Sequence, residues 1–226
     1  MHLKDLTQYL RELSENNNRA WFVMNKPRYD ILRAEFLELV IELIAGISTF
    51  DPAVAACNPK RAMFRINRDL RFARNRDPYK TAFSASLTVS GLKKPSQGGG
   101  PAYYFRIDAN GRLSRGCGEY MPPADRLRAI RNHIVSDSAG FSKILRDKKM
   151  HACFDGLSME DQLARPPKGF DPDAPHIDYV KLKSFLIWKS SSVAKVTANT
   201  LPSLLLEDFR AGSPLVKWLR GAGPTA

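Results

Sequence analysis

Arginine recurs every third residue at Arg65, Arg68, Arg71 and Arg74, and Lys80 follows closely. A guanidinium presents a planar fork of donors that matches phosphate and carboxylate oxygens, and it stays charged at any working pH. Residues 60–80 hold eight Lys or Arg and two Asp, a local net charge of +6 in a chain whose total is +12. Asp69 and Asp77 can neutralise two of these cations. The rest must be solvated or must face an anion, because a buried unpaired charge is costly. Phe64, Phe72 and Tyr79 are interleaved with the cations, the mark of a folded segment. Two chemistries remain open. One is an Arg/Asp network with a purely structural role. The other is a pocket for phosphate or a carboxylated ligand, built from Arg65, Arg68, Arg71 and Lys80, with Arg131 supplied by a later helix. Pro78-Tyr79-Lys80 adds a rigid turn that can present a phenol and an ammonium to the same anion.

Catalysis on such an anion would need an acid or a base beside the cations, and Tyr79, Glu119 and Asp69 are the nominees. Glu119 ends the glycine-flanked stretch Gly116-Cys117-Gly118, where backbone can approach a ligand closely; it is also a natural salt-bridge partner for an arginine. His2, His133, His151 and His176 have no metal-ligand spacing among themselves or with the cysteines. No GxSxG, HExxH or GxGxxG occurs, so neither metal nor cofactor is expected. Gly98-Gly99-Gly100 lacks the lysine and helix start of a phosphate-binding loop and reads as a hairpin connection.

The elements that must position these residues follow from hydrophobic period. Leu3, Leu6, Leu10 and Leu13 mark a first helix, which ends at Asn16-Asn17-Asn18. Asn25 and Pro27 open a second helix whose apolar stripe runs from Ile31 to Ile47. Trp21 and Phe22, in the turn between them, are expected to plug the core; the alternative sets Trp21 against Arg68 as a wall of the anion pocket. Alternation predicts strands over 62–67, 83–90, 103–108 and 112–117, the last two joined by Asn110-Gly111. In the second of these Phe83, Ala85, Leu87 and Val89 face one way and the serines and threonine the other. Residues 93–100 form a loop. Helices return after Pro122-Pro123, at 141–145, at 201–209 and at 214–219. A proline-rich loop covers 164–178, and a last strand falls within 180–193. Strands grouped in the middle with helices at both ends predict an α+β fold, an antiparallel sheet packed by N-terminal and C-terminal helices. The whole of 1–226 is expected to be one domain, helical over 1–50, sheet-rich over 60–120, and helical with loops over 121–226.

Four motifs, spread from the first helix to the C-terminal third, resemble those of the bacterial and fungal family known as domain of unknown function 2461. They are Asn17-Asn18-Arg19-Ala20-Trp21-Phe22 with Lys26 and Tyr29; Phe64-Arg65-Ile66-Asn67-Arg68-Asp69-Leu70-Arg71-Phe72 running on to Asp77-Pro78-Tyr79-Lys80-Thr81; Gly116-Cys117-Gly118 with Pro122, Leu127 and Arg131; and Arg165-Pro166-Pro167-Lys168-Gly169-Phe170 followed by Leu182-Lys183-Ser184-Phe185. The resemblance implies a single cytoplasmic domain and marks Arg65, Arg68, Asp69, Arg71, Tyr79 and Lys80 as signature positions. It implies no activity, substrate or cofactor. Arg76 departs from the pattern where a lysine is expected, and Ala174-Pro175-His176 departs where a histidine should precede proline.

The expected function is an anion-binding domain with an Arg/Lys/Tyr pocket for a phosphate-bearing small molecule or a nucleic-acid backbone. The alternatives are an enzyme acting on an anionic or phosphorylated substrate and an interaction module. Three widely spaced cysteines and an N-terminus without a continuous apolar stretch point to the cytoplasm. Glu38 and Glu42 interrupt the longest apolar run, so no membrane span is expected.

Overall fold

A computed structural model describes residues 1–71, 76–89 and 100–223. Arg74 and Phe72 of the basic motif, the glycines Gly98 and Gly99, and most of the 93–100 loop lie outside the described residues. The centre is a four-stranded antiparallel meander in the order β1-β2-β3-β4: β1 Ala82–Thr88, β2 Ala102–Asp108, β3 Arg112–Glu119 and β4 Phe185–Ser192. The β2–β3 turn forms because Gly111 takes φ +68° while the Asp108 carboxylate accepts from the Asn110 and Arg112 N–H groups.

Period-two alternation assigns the two faces. Phe83, Ala85 and Leu87 of β1 and Tyr103, Phe105 and Ile107 of β2 point to one side, and all are buried. Helices α1 Leu3–Glu15, α3 Lys26–Ser48 and α9 Leu201–Gly221 supply the other half of this core, which runs from Leu3 to Ala222. The opposite face carries small and polar residues, as the alternation predicts: Ser84, Ser86, Tyr104, Arg106, Ser114 and Gly116.

Three differences from the sequence reading have local causes. Trp21 and Phe22 sit on a short helix, α2 Arg19–Met24, which forms because the Asn18 side chain accepts from the Trp21 N–H at 3.0 Å. Trp21 packs on Tyr9, ring centroids 5.6 Å apart, and against the core, as the core reading required. Residues 62–67 are not a strand. After a one-turn helix, α4 Pro59–Ala62, the chain touches the edge of β1 and the segment before it through isolated bridges, Met63 to Ala85 and Asn67 to Tyr79. Pro78 has no N–H to donate, so a continuous ladder cannot extend past it. The C-terminal helix is unbroken through Pro214. The carbonyl of Arg210, which a residue at 214 would normally satisfy, instead accepts the Ser213 hydroxyl at 2.9 Å.

Buried ion pairs fix the helices to the sheet. Arg115 on β3 pairs with Asp208 on α9 and donates to Ser191 on β4 at 2.7 Å. Asp51 accepts both Arg220 Nη atoms at 2.9 Å and the Tyr103 hydroxyl at 2.8 Å. The Arg220 guanidinium holds the Asp51 carboxyl below the usual carboxylate range even though burial opposes it. After β3 the chain continues into α5 Ala124–Ser136, α6 Ser138–Leu145, α7 Lys148–Cys153 and α8 Ile177–Val180. Among the described residues no helix is long and apolar enough to cross a membrane.

Candidate functional site

The basic motif folds as an antiparallel pair of segments. Arg68 N–H donates to Pro78 O at 2.9 Å and Lys80 N–H to Ile66 O at 2.7 Å. This pairing fixes Arg68 and Lys80 beside each other, next to the polar face of β1. A second clamp holds the strand from the far side. The Asn17 amide donates to Tyr79 O and accepts from Tyr79 N–H, both at 3.0 Å, so one side chain substitutes for a neighbouring strand. The Tyr79 ring stacks on Phe22 at 4.1 Å and 19°. These contacts explain why the first and second motifs belong together: the turn after α1 positions Tyr79. Asn17→Ala would leave both half-buried backbone groups of Tyr79 without that partner. The expected loss is about 2 kcal/mol, two net hydrogen bonds of ~1 kcal/mol each, read as a lower urea midpoint.

The result is a cleft of about 520 Å³, lined by Asn17, Phe64, Arg68, Asp77, Tyr79, Lys80, Thr81, Ala82, Ser84, Tyr104 and Arg106. Among the described residues three cations, Arg68, Lys80 and Arg106, and one carboxylate, Asp77, line it, with Asp77 3.7 Å from Arg68. Lys80 is half-buried, with its ammonium 5.3 Å from the centroid of the Phe64 ring. Burial lowers the Lys80 pKa from its ordinary value, and the positive charges of Arg65 and Arg68 lower it further. Burial and the neighbouring positive charges thus both disfavour the ammonium at this wall of the cleft. Tyr104 is shielded by the same walls: burial pushes its phenol up, opposed by a hydrogen bond with Ser84.

The residues singled out from sequence do not all meet here. Arg68, Lys80 and Tyr79 line the cleft. Arg65 is exposed and outside the lining, yet close enough to act on Lys80 and Asp69. Arg71 turns to Asp69 instead, Nη2 to Oδ2 at 2.6 Å and Nε to Oδ1 at 3.0 Å, which holds the Asp69 carboxyl far below its usual range. Neither lines the cleft. Glu119 is buried and accepts from Arg126 on α5 at 3.0 to 3.2 Å. Arg131 belongs to α5 as expected, but α5 packs it against the 181–184 segment. There Nη2 donates to Leu182 O at 3.1 Å, and burial pushes the guanidinium pKa down. It does not line the cleft.

Arg106, Tyr104, Ser84 and Asn17 escaped the sequence reading as site residues. Parity carried a signal for three of them, since even positions of the first two strands share the polar face on which Phe64 and Arg68 converge. Asn17 had no such signal, being 62 residues from its partner. Among the described residues no three His, Cys, Asp or Glu side chains are grouped to hold a metal ion.

A family model described as "Conserved hypothetical protein (DUF2461)" matches residues 5–218, so the chain belongs to that family. No curated protein and no solved structure matches it.

Proposed function

We propose that this member of the family binds a phosphate-bearing ligand in the Arg68–Lys80–Arg106 cleft. One observation carries the reading: among the described residues three cations share a cleft with a single carboxylate, and burial together with the neighbouring arginines disfavours the Lys80 ammonium, which a bound anion would favour. Asn17, Thr81, Ser84 and Tyr104 add neutral polar groups to the wall, suited to phosphate and ester oxygens.

Isothermal calorimetry with pyrophosphate tests it. Saturable binding at about 50 mM salt, with an affinity that falls only shallowly as salt rises, is the expected result; a ligand contacting many phosphates would lose about 0.9 log units per contact against log salt. Pyrophosphate heats no larger than those of chloride would remove the proposal.

An enzyme acting on an anionic substrate is the second reading, because Tyr79 and Asp77 line the same cleft as the cations. The Asp69–Arg71 pair favours a structural role for that part of the motif. A reducing, cytoplasmic setting is part of the proposal, and three free cysteines support it.

A further inference from the structure

The outer face of the sheet carries an aromatic row that leads out of the cleft. Register places Ser86, Tyr104, Gly116 and Trp188 side by side across β1, β2, β3 and β4. Tyr104 lines the cleft and meets Phe64 at 6.0 Å, edge to face. On its other side it meets Trp188, centroids 5.5 Å apart and planes only 30° apart. At that distance the rings overlap with an offset, and together they form one stepped aromatic shelf. Gly116 makes that possible. A Cβ there would lie 2.5 Å from Trp188 Cε3 and would strike the Ile187 carbonyl, so only glycine lets the indole lie across β3. An indole resting on backbone turns its other face outward, and Trp188 remains 39% exposed. The neighbouring row is polar: Ser84, Arg106, Ser114 and Ser190. Arg106 thus stands two residues from Tyr104 on the same face and also lines the cleft.

We infer that the shelf and the cleft together bind single-stranded nucleic acid, with a phosphate among Arg68, Lys80 and Arg106 and bases stacked on Tyr104 and Trp188. The inference rests on the phosphate reading of the cleft and extends it. Flat faces in a row beside cations are what an unpaired strand requires, because every base has a stacking face and every linkage a phosphate. A duplex hides its base faces and gains nothing from the shelf. The shelf continues beyond the cleft wall to Trp188, farther than a single phosphate group needs. A chain of net charge +12 also favours a polyanion over one small ester.

The test uses the full chain, a fluorescein-labelled oligothymidylate of roughly ten nucleotides, and its duplex. The expected result is tighter binding of the single strand, with tryptophan quenching on saturation. Trp188→Leu should weaken it about tenfold, the scale of one stacked base. Trp188→Phe keeps a stacking face, so it should retain most of the affinity while losing most of the quenching. It serves even where the leucine variant fails to fold. Equal affinity for duplex and single strand would overturn the inference. So would Trp188→Leu binding like the parent, or the two variants losing affinity alike. If pyrophosphate binds and the oligonucleotide does not, the shelf inference fails while the cleft reading stands; if neither binds, both fail.

Discussion

Replacing Arg126 by methionine is expected to lower stability by about 3–5 kcal/mol, the cost of stranding a buried charge. Arg126 and Glu119 have side chains only 2% and 1% exposed and sit 3.0 Å apart. The same guanidinium donates to Leu219 O at 2.6 Å and Gly223 O at 3.0 Å, so it also satisfies carbonyls at the end of α9. A cation there faces the negative end of the helix dipole. Removing it strands the Glu119 carboxylate and those carbonyls together. In a chain of this size the melting temperature should fall by about 10 °C. Adding Glu119→Leu removes the stranded charge and should recover part of the loss. A single variant that melts within ~1 °C of the parent would show that the pair fixes nothing.

The second large effect sets ligand affinity against stability. Lys80→Met removes one of three cations in the cleft and should weaken pyrophosphate binding about 10- to 100-fold, the range of a charged hydrogen bond. The unliganded protein should not lose comparable stability. Burial and the charges of Arg65 and Arg68 already disfavour the Lys80 ammonium, so a neutral chain of similar length relieves repulsion and forfeits only the contact with Phe64, worth ~0.5–1 kcal/mol. A binding residue often costs its own fold in this way. If Lys80→Met instead destabilises the protein by several kcal/mol with affinity unchanged, Lys80 is a structural cation.

The first helix, the long helix α3 and the strands β1 to β3 were legible because each has a clean period, whereas one-turn and two-turn helices such as α2, α4 and α8 are too short to show one. Leucines at helical spacing gave α1, and the Phe83/Ser84 alternation gave both β1 and the sheet's polar face. What stayed hidden required information that no window of sequence contains. The bridge from Asn17 to Tyr79 spans 62 residues. The Asp69–Arg71 and Glu119–Arg126 pairs lie within a few residues in sequence, but several cations compete nearby, and charge density alone cannot rank them. The three-residue spacing of Arg65, Arg68 and Arg71 suggested one constellation, yet only Arg68 lines the cleft. The backbone there is an antiparallel pair in which Arg68 faces Pro78 and Asn67 faces Tyr79, so Arg65 and Arg68, three residues apart along it, point to opposite sides. Arg106 joined them from another strand through register alone.

The cleft is lined by more cations than carboxylates among the described residues, and whether an anion completes it is tested most directly by the titration of Lys80. Its pKa lies below the ordinary lysine value in the free protein, so the free fold gains stability as pH rises through that lowered pKa. A bound phosphate favours the ammonium and raises the pKa. Affinity should therefore be full below the free-state pKa of Lys80 and be lost as pH climbs through its bound-state pKa. NMR of 13C-methylated lysines, with Lys80 assigned by Lys80→Met, measures both states. A depressed Lys80 titration that moves upward on saturation with pyrophosphate is the expected result. A Lys80 that titrates normally, or that ignores saturating pyrophosphate while other lysines respond, would contradict it.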